Sequence, residues 1–538
     1  MKKLVLAGLL LSAACTVSVA QDSLAMNKLG HLSYPVQLND VWGYTDAGGN
    51  EYALVGARSG FSIVDVTNPA TPVELHFIPG VYSTWRDIKT WSHYAYVVHD
   101  GYSSGTPDGI MIVDMDSVNM PNPKFDRFYH ANSDLPGNPF LQRAHNIYID
   151  ENGILYVFGA GNIGNGGALM FDLKPDPENP AYIGAFDTYY LHDGMVRGDT
   201  LWGGAINDDK LVVVDVSNKS NPQILGDIIT PNAFTHNCWV SDDNQTVYTT
   251  DEISGAYVAA YDVSDPANIS ERDRIRISYG GTDVIPHNTH VLGDFLVTSY
   301  YTSGVQIVDA TMPDILIETA YYDTSPLTGN GYNGAWGAYP FLPSGNILVT
   351  DIEQGLFILN STYPKGCYFT GLVKDSITQN PIPNADLVML NINDTLRANI
   401  FGEFRTGTTD AAIYPVVVSK PGYYTDTVDV VLTNGLETHV EIALLPLGFS
   451  LEEGSLKSPV RLSPNPAAGF FDLDLSGVDG ERATLQVYDM RGSLMMEKTV
   501  NLSENTAHVE HGLPNGAYIV QLQTPQALFE PTRLIIQK

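Results

Sequence analysis

The sequence predicts an all-β chain whose largest part is a seven-bladed β-propeller. A short apolar run closed by Asp or Asn recurs seven times, ending at Asp65, Asp114, Asp172, Asp215, Asp262, Asp309 and Asn360. Upstream of each copy stands a recurring polar or aromatic dipeptide, and behind most copies a Pro. A period of roughly 40–50 residues carrying several strand-like segments marks propeller blades. With 49 Gly, 32 Pro and 30 Tyr among 538 residues, the composition favours short strands and turns over helices.

Each repeat divides into four strands. The openings are Asn39-Asp40, Arg86-Asp87, His145-Asn146, His192-Asp193, His236-Asn237, His287-Asn288 and Ala335-Trp336. A first strand, a polar turn, a second strand and a Gly-containing turn lead to the Asp-terminated third strand. Behind the Pro comes a fourth, as in Gln223–Ile228. Four antiparallel strands make one blade. The closing Asp residues read as caps of the turn that follows, because Asp before Asn-Pro or Asp-Pro bonds its own backbone two residues on. The seventh copy lacks a fourth strand, whereas a spare one, Lys28–Tyr34, precedes the first copy. The N-terminal strand is therefore expected to complete the last blade, which hides edges open to aggregation.

These repeats resemble the LVIVD-repeat propellers, and residues 25–362 resemble the choice-of-anchor B family of bacterial surface proteins. That resemblance implies a secreted propeller over residues 21–363 and assigns no activity. From Gly366 the texture changes. Gly371–Asp375, Asn380–Ala385, Phe401–Phe404 and Val416–Tyr424 make residues 366–446 similar to the carboxypeptidase regulatory-like, or transthyretin-like, β-sandwich, which implies a spacer or docking unit. Residues 447–459 read as a polar linker.

The two ends carry an address. Lys2 and Lys3 precede an apolar run and Ser18-Val19-Ala20, so residues 1–20 read as a signal peptide, with Cys15 a weaker lipidation candidate. In residues 460–538, Leu462–Pro466, Val487–Gly492, Leu513–Ile519 and the basic end Arg533–Lys538 resemble the type A C-terminal sorting domain of the type IX secretion system, a third, small β-sandwich. That resemblance implies a Bacteroidetes-type cell, export through the periplasm and across the outer membrane, and a secreted or cell-surface protein. The partners expected are the type IX machinery and an extracellular ligand, protein or glycan. A net charge of −33 argues against nucleic acid, and no later segment is apolar enough to cross a membrane. After signal cleavage only Cys238 and Cys367 remain, in different expected domains, so strand packing must supply the stability.

If the blades form a ring, the opening dipeptides meet at one mouth of its channel. His145, His192, His236 and His287 would stand there beside Asp40, Asp87, Asp193, Asn146, Asn237 and Asn288. Second-strand ends would add His99, Asp100, Asp251, Glu252, Asp351 and Glu353. Imidazole with carboxylate suits Zn²⁺, Mn²⁺ or Fe²⁺, and carboxylate with amide oxygen suits Ca²⁺. The metal candidates are His145, His192, His236, His287, Asp87, Asp193 and Asp251. The competing reading of the same recurrence is structural, each side chain bonding the neighbouring blade or capping a loop. Strand alternation predicts that only one of the two rows faces the channel, and the His row is the one expected. Gly159–Gly164 is no nucleotide loop, because no helix follows it, and neither a nucleophile elbow nor His-Glu-x-x-His is present. Three readings remain open: recognition as the leading one, a metal-dependent hydrolase or lyase, and a structural surface-layer component.

Overall fold

The computed structural model describes residues 22–102, 109–128, 140–161, 163–392, 394–447, 456–524 and 527–538. The expected signal peptide and Cys15 lie outside them. All regular elements among the described residues are β-strands apart from three short 3₁₀ turns.

Seven antiparallel sheets follow one another from residue 23 to residue 361. The second to fifth each use four consecutive strands, as in Thr235–Val240, Thr246–Asp251, Val258–Asp262 and Ser270–Ile275. The first strand of each sheet packs against that of the next. The seventh sheet, opening at Ala335–Tyr339, returns to the first, opening at Leu38–Thr45, so the ring is closed. Met26–Leu32 pairs with Gly355–Ser361 as the outer strand of the seventh sheet, with Met26 buried. Just before it, Ser23–Leu24 pairs with Ile317–Tyr322 of the sixth.

The recurring residues have local causes. The closing carboxylates of Asp65, Asp114, Asp172, Asp215, Asp262 and Asp309 each accept the backbone N–H two residues on, at 2.8–3.0 Å. These are side-chain-capped turns between third and fourth strands. A Gly in the outer strand lets the next sheet's turn approach. A Cβ on Gly30, Gly184 or Gly226 would stand 1.8 Å from the carbonyl oxygen of Pro69, Lys219 or Pro266 respectively.

Residues 367–444 form two sheets, of three and four strands, around a core that includes Phe369, Leu387, Val416 and Ile442. This unit abuts the ring through Ile315, Ile317 and Tyr368, with Arg405 bonded to Asp314. The C-terminal unit again has two sheets. It begins earlier than the sequence suggests: Leu456–Lys457 pairs in parallel with Leu528–Phe529, so the expected linker is shorter at its C-terminal end. Cys238 and Cys367 are buried and free.

Candidate functional site at the ring axis

The inner strands of five sheets begin with a bulge, and these bulges build the site. His192 N–H donates to Gly204 O while Gly204 N–H donates to Asp193 O, so two residues face one. His287 and Asn288 face Ser299 in the same way. The register also shifts between Leu38 and Val41, Thr235 and Asn237, and Ala335 and Gly337. A two-against-one bulge breaks the alternation of a strand and re-aims its side chains. Both members of the His145, His192 and His287 pairs therefore line the axis, where alternation had predicted only the His row, whereas Arg86 turns outwards to the carbonyls of Ala57 and Val81.

Three layers result. Nearest the mouth stand Asn39, His145, His192, His236, His287 and Trp336. Below them lie Asp40, Asp87, Asn146, Asp193, Asn237 and Asn288. Two residues further on, Trp42, Tyr148, Trp239, His290 and Tyr339 close the channel, joined by Phe341; Trp239 stacks on Phe341 at 5.7 Å and His290 packs on Trp239 at 4.6 Å. A cavity of about 20 Å³ lies among the upper two layers, lined by the four histidines, Asp40, Asp87, Asp193 and Asn288.

The middle layer ties neighbouring sheets together. Asn237 donates to Asp193 Oδ2 at 3.1 Å and accepts Thr289 N–H at 3.1 Å. Asp87 accepts Ile147 N–H at 2.8 Å and is paired with Lys89 at 2.7 Å. Asp87 thus stands at the axis, but its charge is already met by an ammonium group. Burial, then the Asp87 charge, pushes the Asp40 carboxyl well above the carboxylate range.

The four histidines form an arc, with successive ring centroids 3.9, 4.2 and 4.6 Å apart. Burial lowers the pKa of His192 and His236, and brings His287 down to about 4. Burial alone would raise Asp193; His236 and the His192 hydrogen bond outweigh it and hold the carboxylate ionised. Opposite the arc, Glu252 Oε2 lies 3.4 Å from His236 Nε2, and Oε1 3.9 Å from His287 Nε2. Tyr301 O–H donates to the same Oε1 at 2.5 Å. Burial raises Glu252 to about 7.

Asp251 does not join this cluster. It accepts from the Thr230 hydroxyl at 2.5 Å and from Asn232 N–H at 2.8 Å, which anchors the turn before its sheet. Asp351 occupies the equivalent place in the seventh sheet and accepts from Thr324. It is the following residue, Glu252, that turns to the axis. His99 is buried, Asp100 holds His145 Nδ1 at 3.2 Å, and Glu353 holds Asn333 at 2.7 Å. Sequence reasoning missed Tyr301. Its signal was its place just after the second strand of the sixth sheet, the position that supplies Glu252 in the fifth.

Above the histidines the mouth opens into a cavity of about 470 Å³, lined by rings of Trp85, Phe234, Tyr301, Tyr332 and Trp336 and by polar groups of Gln37, Arg58, Asn333 and Glu353. Trp85 and Tyr332 are exposed, at 42% and 55%.

Residues 461–537 match the secretion system C-terminal sorting domain. The chain is a secreted or cell-surface protein. No helix among the described residues is long and apolar enough to cross a membrane. Residues 48–77 and 205–230 match the LVIVD repeat. No curated protein matches the chain. Among solved structures, the β-propeller domain of Cps50 (Swd1) from Myceliophteria thermophila aligns at 9% identity, covering 63% of this chain and 100% of that one, with a TM-score of 0.44.

Proposed function

We propose that this is an exported recognition protein whose seven-bladed propeller, residues 21–363, binds a saccharide-sized extracellular ligand at its mouth. Residues 366–446 serve as a carboxypeptidase regulatory-like spacer, and the C-terminal unit engages the type IX machinery. The single supporting observation is the cavity of about 470 Å³ with exposed Trp85 and Tyr332 at its rim and Arg58, Asn333 and Glu353 among them. Its volume lies in the range of small-molecule sites, and aromatic faces with convergent polar groups suit the C–H faces and hydroxyls of a sugar. A glycan array probed with the purified protein, followed by calorimetry, tests this. Binding that falls at least about fivefold in Trp85→Ala and Tyr332→Ala supports the reading, since one lost stacking contact is worth roughly 1 kcal/mol. No glycan bound, or binding indifferent to both changes, overturns it.

One arrangement favours a second reading. Glu252, bonded to Tyr301 and close to His236, adjoins this cavity with the geometry of an acid–base group. A hydrolase or lyase would lose turnover in Glu252→Gln while still binding its substrate.

A further inference from the structure

Three of the four histidines use their ring nitrogens in one consistent way. His287 Nδ1 meets the Trp336 carbonyl at 2.6 Å, His192 Nδ1 meets Asp193 Oδ1 at 3.1 Å, and His145 Nδ1 meets Asp100 Oδ2 at 3.2 Å. Carbonyl and carboxylate oxygens only accept, so Nδ1 carries the proton in each ring and Nε2 keeps its lone pair. Metal-binding imidazoles are held in this manner, the outer N–H fixed on a carbonyl or carboxylate. His236 differs. Its Nδ1 lies 3.8 Å from Asp193 Oδ2 and has no hydrogen-bond partner, although the residue is only 2% exposed. Asn288 Oδ1, lining the same small cavity, is likewise buried without a hydrogen-bond partner.

The Glu252 oxygens stand 3.4 and 3.9 Å from the Nε2 atoms of His236 and His287. Ligand atoms bound about 2.0–2.2 Å from one ion are separated by roughly 3.0–3.5 Å, so little movement would bring the three onto a common centre. His236 and His287 line the small cavity and Glu252 lines the floor of the larger one, so the three ligand groups meet at the boundary between the two.

We propose that His236, His287 and Glu252 bind a divalent first-row transition ion, Zn²⁺ or Fe²⁺, below the mouth cavity. Two imidazoles and one carboxylate leave coordination positions open, and His192, next along the arc, is within reach of one. Ca²⁺ is disfavoured because it takes six to eight oxygens, and Glu252 is the only carboxylate of this triad. The alternative is a purely structural network in which Nε2–H groups donate to Glu252. The site stands whether or not the cavity above takes a sugar.

The full chain, stripped with a chelator, is titrated by calorimetry with Zn²⁺ and separately with Ca²⁺, and the loaded protein is examined by X-ray absorption at the zinc edge. One Zn²⁺ per chain is expected, with imidazole scattering in its spectrum. Glu252→Gln and His236→Ala are each expected to weaken Zn²⁺ by about 100-fold or more, beyond the roughly 10–100-fold typical of losing an outer-shell partner. His93→Ala, in the separate His93–Asp114–Asp116 group, leaves it unchanged. If His236→Ala fails to fold, the spectrum of the unaltered protein decides. Absence of stoichiometric Zn²⁺, an oxygen-only first shell, a preference for Ca²⁺, or loss of binding in His93→Ala instead overturns the proposal.

Discussion

Changing Gly30 to Ala tests the closing seam of the ring with one methyl group. Gly30 lies in Met26–Leu32, and its added Cβ would sit 1.8 Å from the Pro69 carbonyl oxygen of the first sheet. Ordinary contact needs 3.4 Å or more, so backbone must move by about 1.5 Å. The Pro69 turn resists, because Asn68 accepts Thr71 N–H at 3.1 Å and Ala70 N–H at 3.2 Å. Overpacking of this kind costs about 1–3 kcal/mol. A ring of roughly 340 residues unfolds with an entropy near 0.7 kcal/mol/K, so the melting temperature should fall by about 1.5–4 °C. Gly226→Ala makes the same clash with Pro266, but between two sheets that are consecutive in the chain. Calorimetric melting of both variants therefore carries its own control. A drop in Gly226→Ala with an unchanged Gly30→Ala would refute closure by the N-terminal strand.

Other expected outcomes follow from buried charge and from the tail. Lys89→Met leaves Asp87 and Asp40 without their cation and should cost about 3–5 kcal/mol in denaturant unfolding, while Asp40→Asn, removing a carboxyl whose ionisation burial and Asp87 oppose, should cost under about 1 kcal/mol. Burial raises Asp351 to about 6. The native state then holds more protons than the unfolded one between about pH 4 and 6, so this residue favours folding at low pH and loses up to about 3 kcal/mol as pH rises through that window. Stability of Asp351→Asn, relative to the unaltered chain, should rise across the same window in urea titrations; a flat difference contradicts this. A chain ending at Pro459 lacks the sorting match at 461–537 and should stay in the periplasm on cell fractionation.

Period and punctuation made the ring of sheets legible: the Asp caps, the outer-strand glycines and the spare N-terminal strand each leave a residue type at a fixed place. The coming together of His145, His192, His236 and His287 was legible for the same reason. The layering was not. Alternation is the default for a strand, and the bulges at Thr235–Asn237 and Ala335–Gly337 that override it have no residue signature of their own. Sequence placed both Asp251 and Glu252 at the mouth and favoured Asp251 as the ligand, but only the register of the strand end decides which carboxylate anchors the turn and which reaches the axis. Lys89 as the partner of Asp87 was hidden by the same effect, two positions along an inner strand whose facing rows had been misassigned.

Convergence of His236, His287 and Glu252 around the axis of a closed ring is what a metal centre here requires. Crystals of the full chain grown with Zn²⁺, with diffraction recorded on both sides of the zinc edge, test this directly. The expected result is one strong anomalous peak within about 2.2 Å of His236 Nε2, His287 Nε2 and a Glu252 oxygen. A peak elsewhere only, or electron density in which these side chains point away from one another, contradicts it.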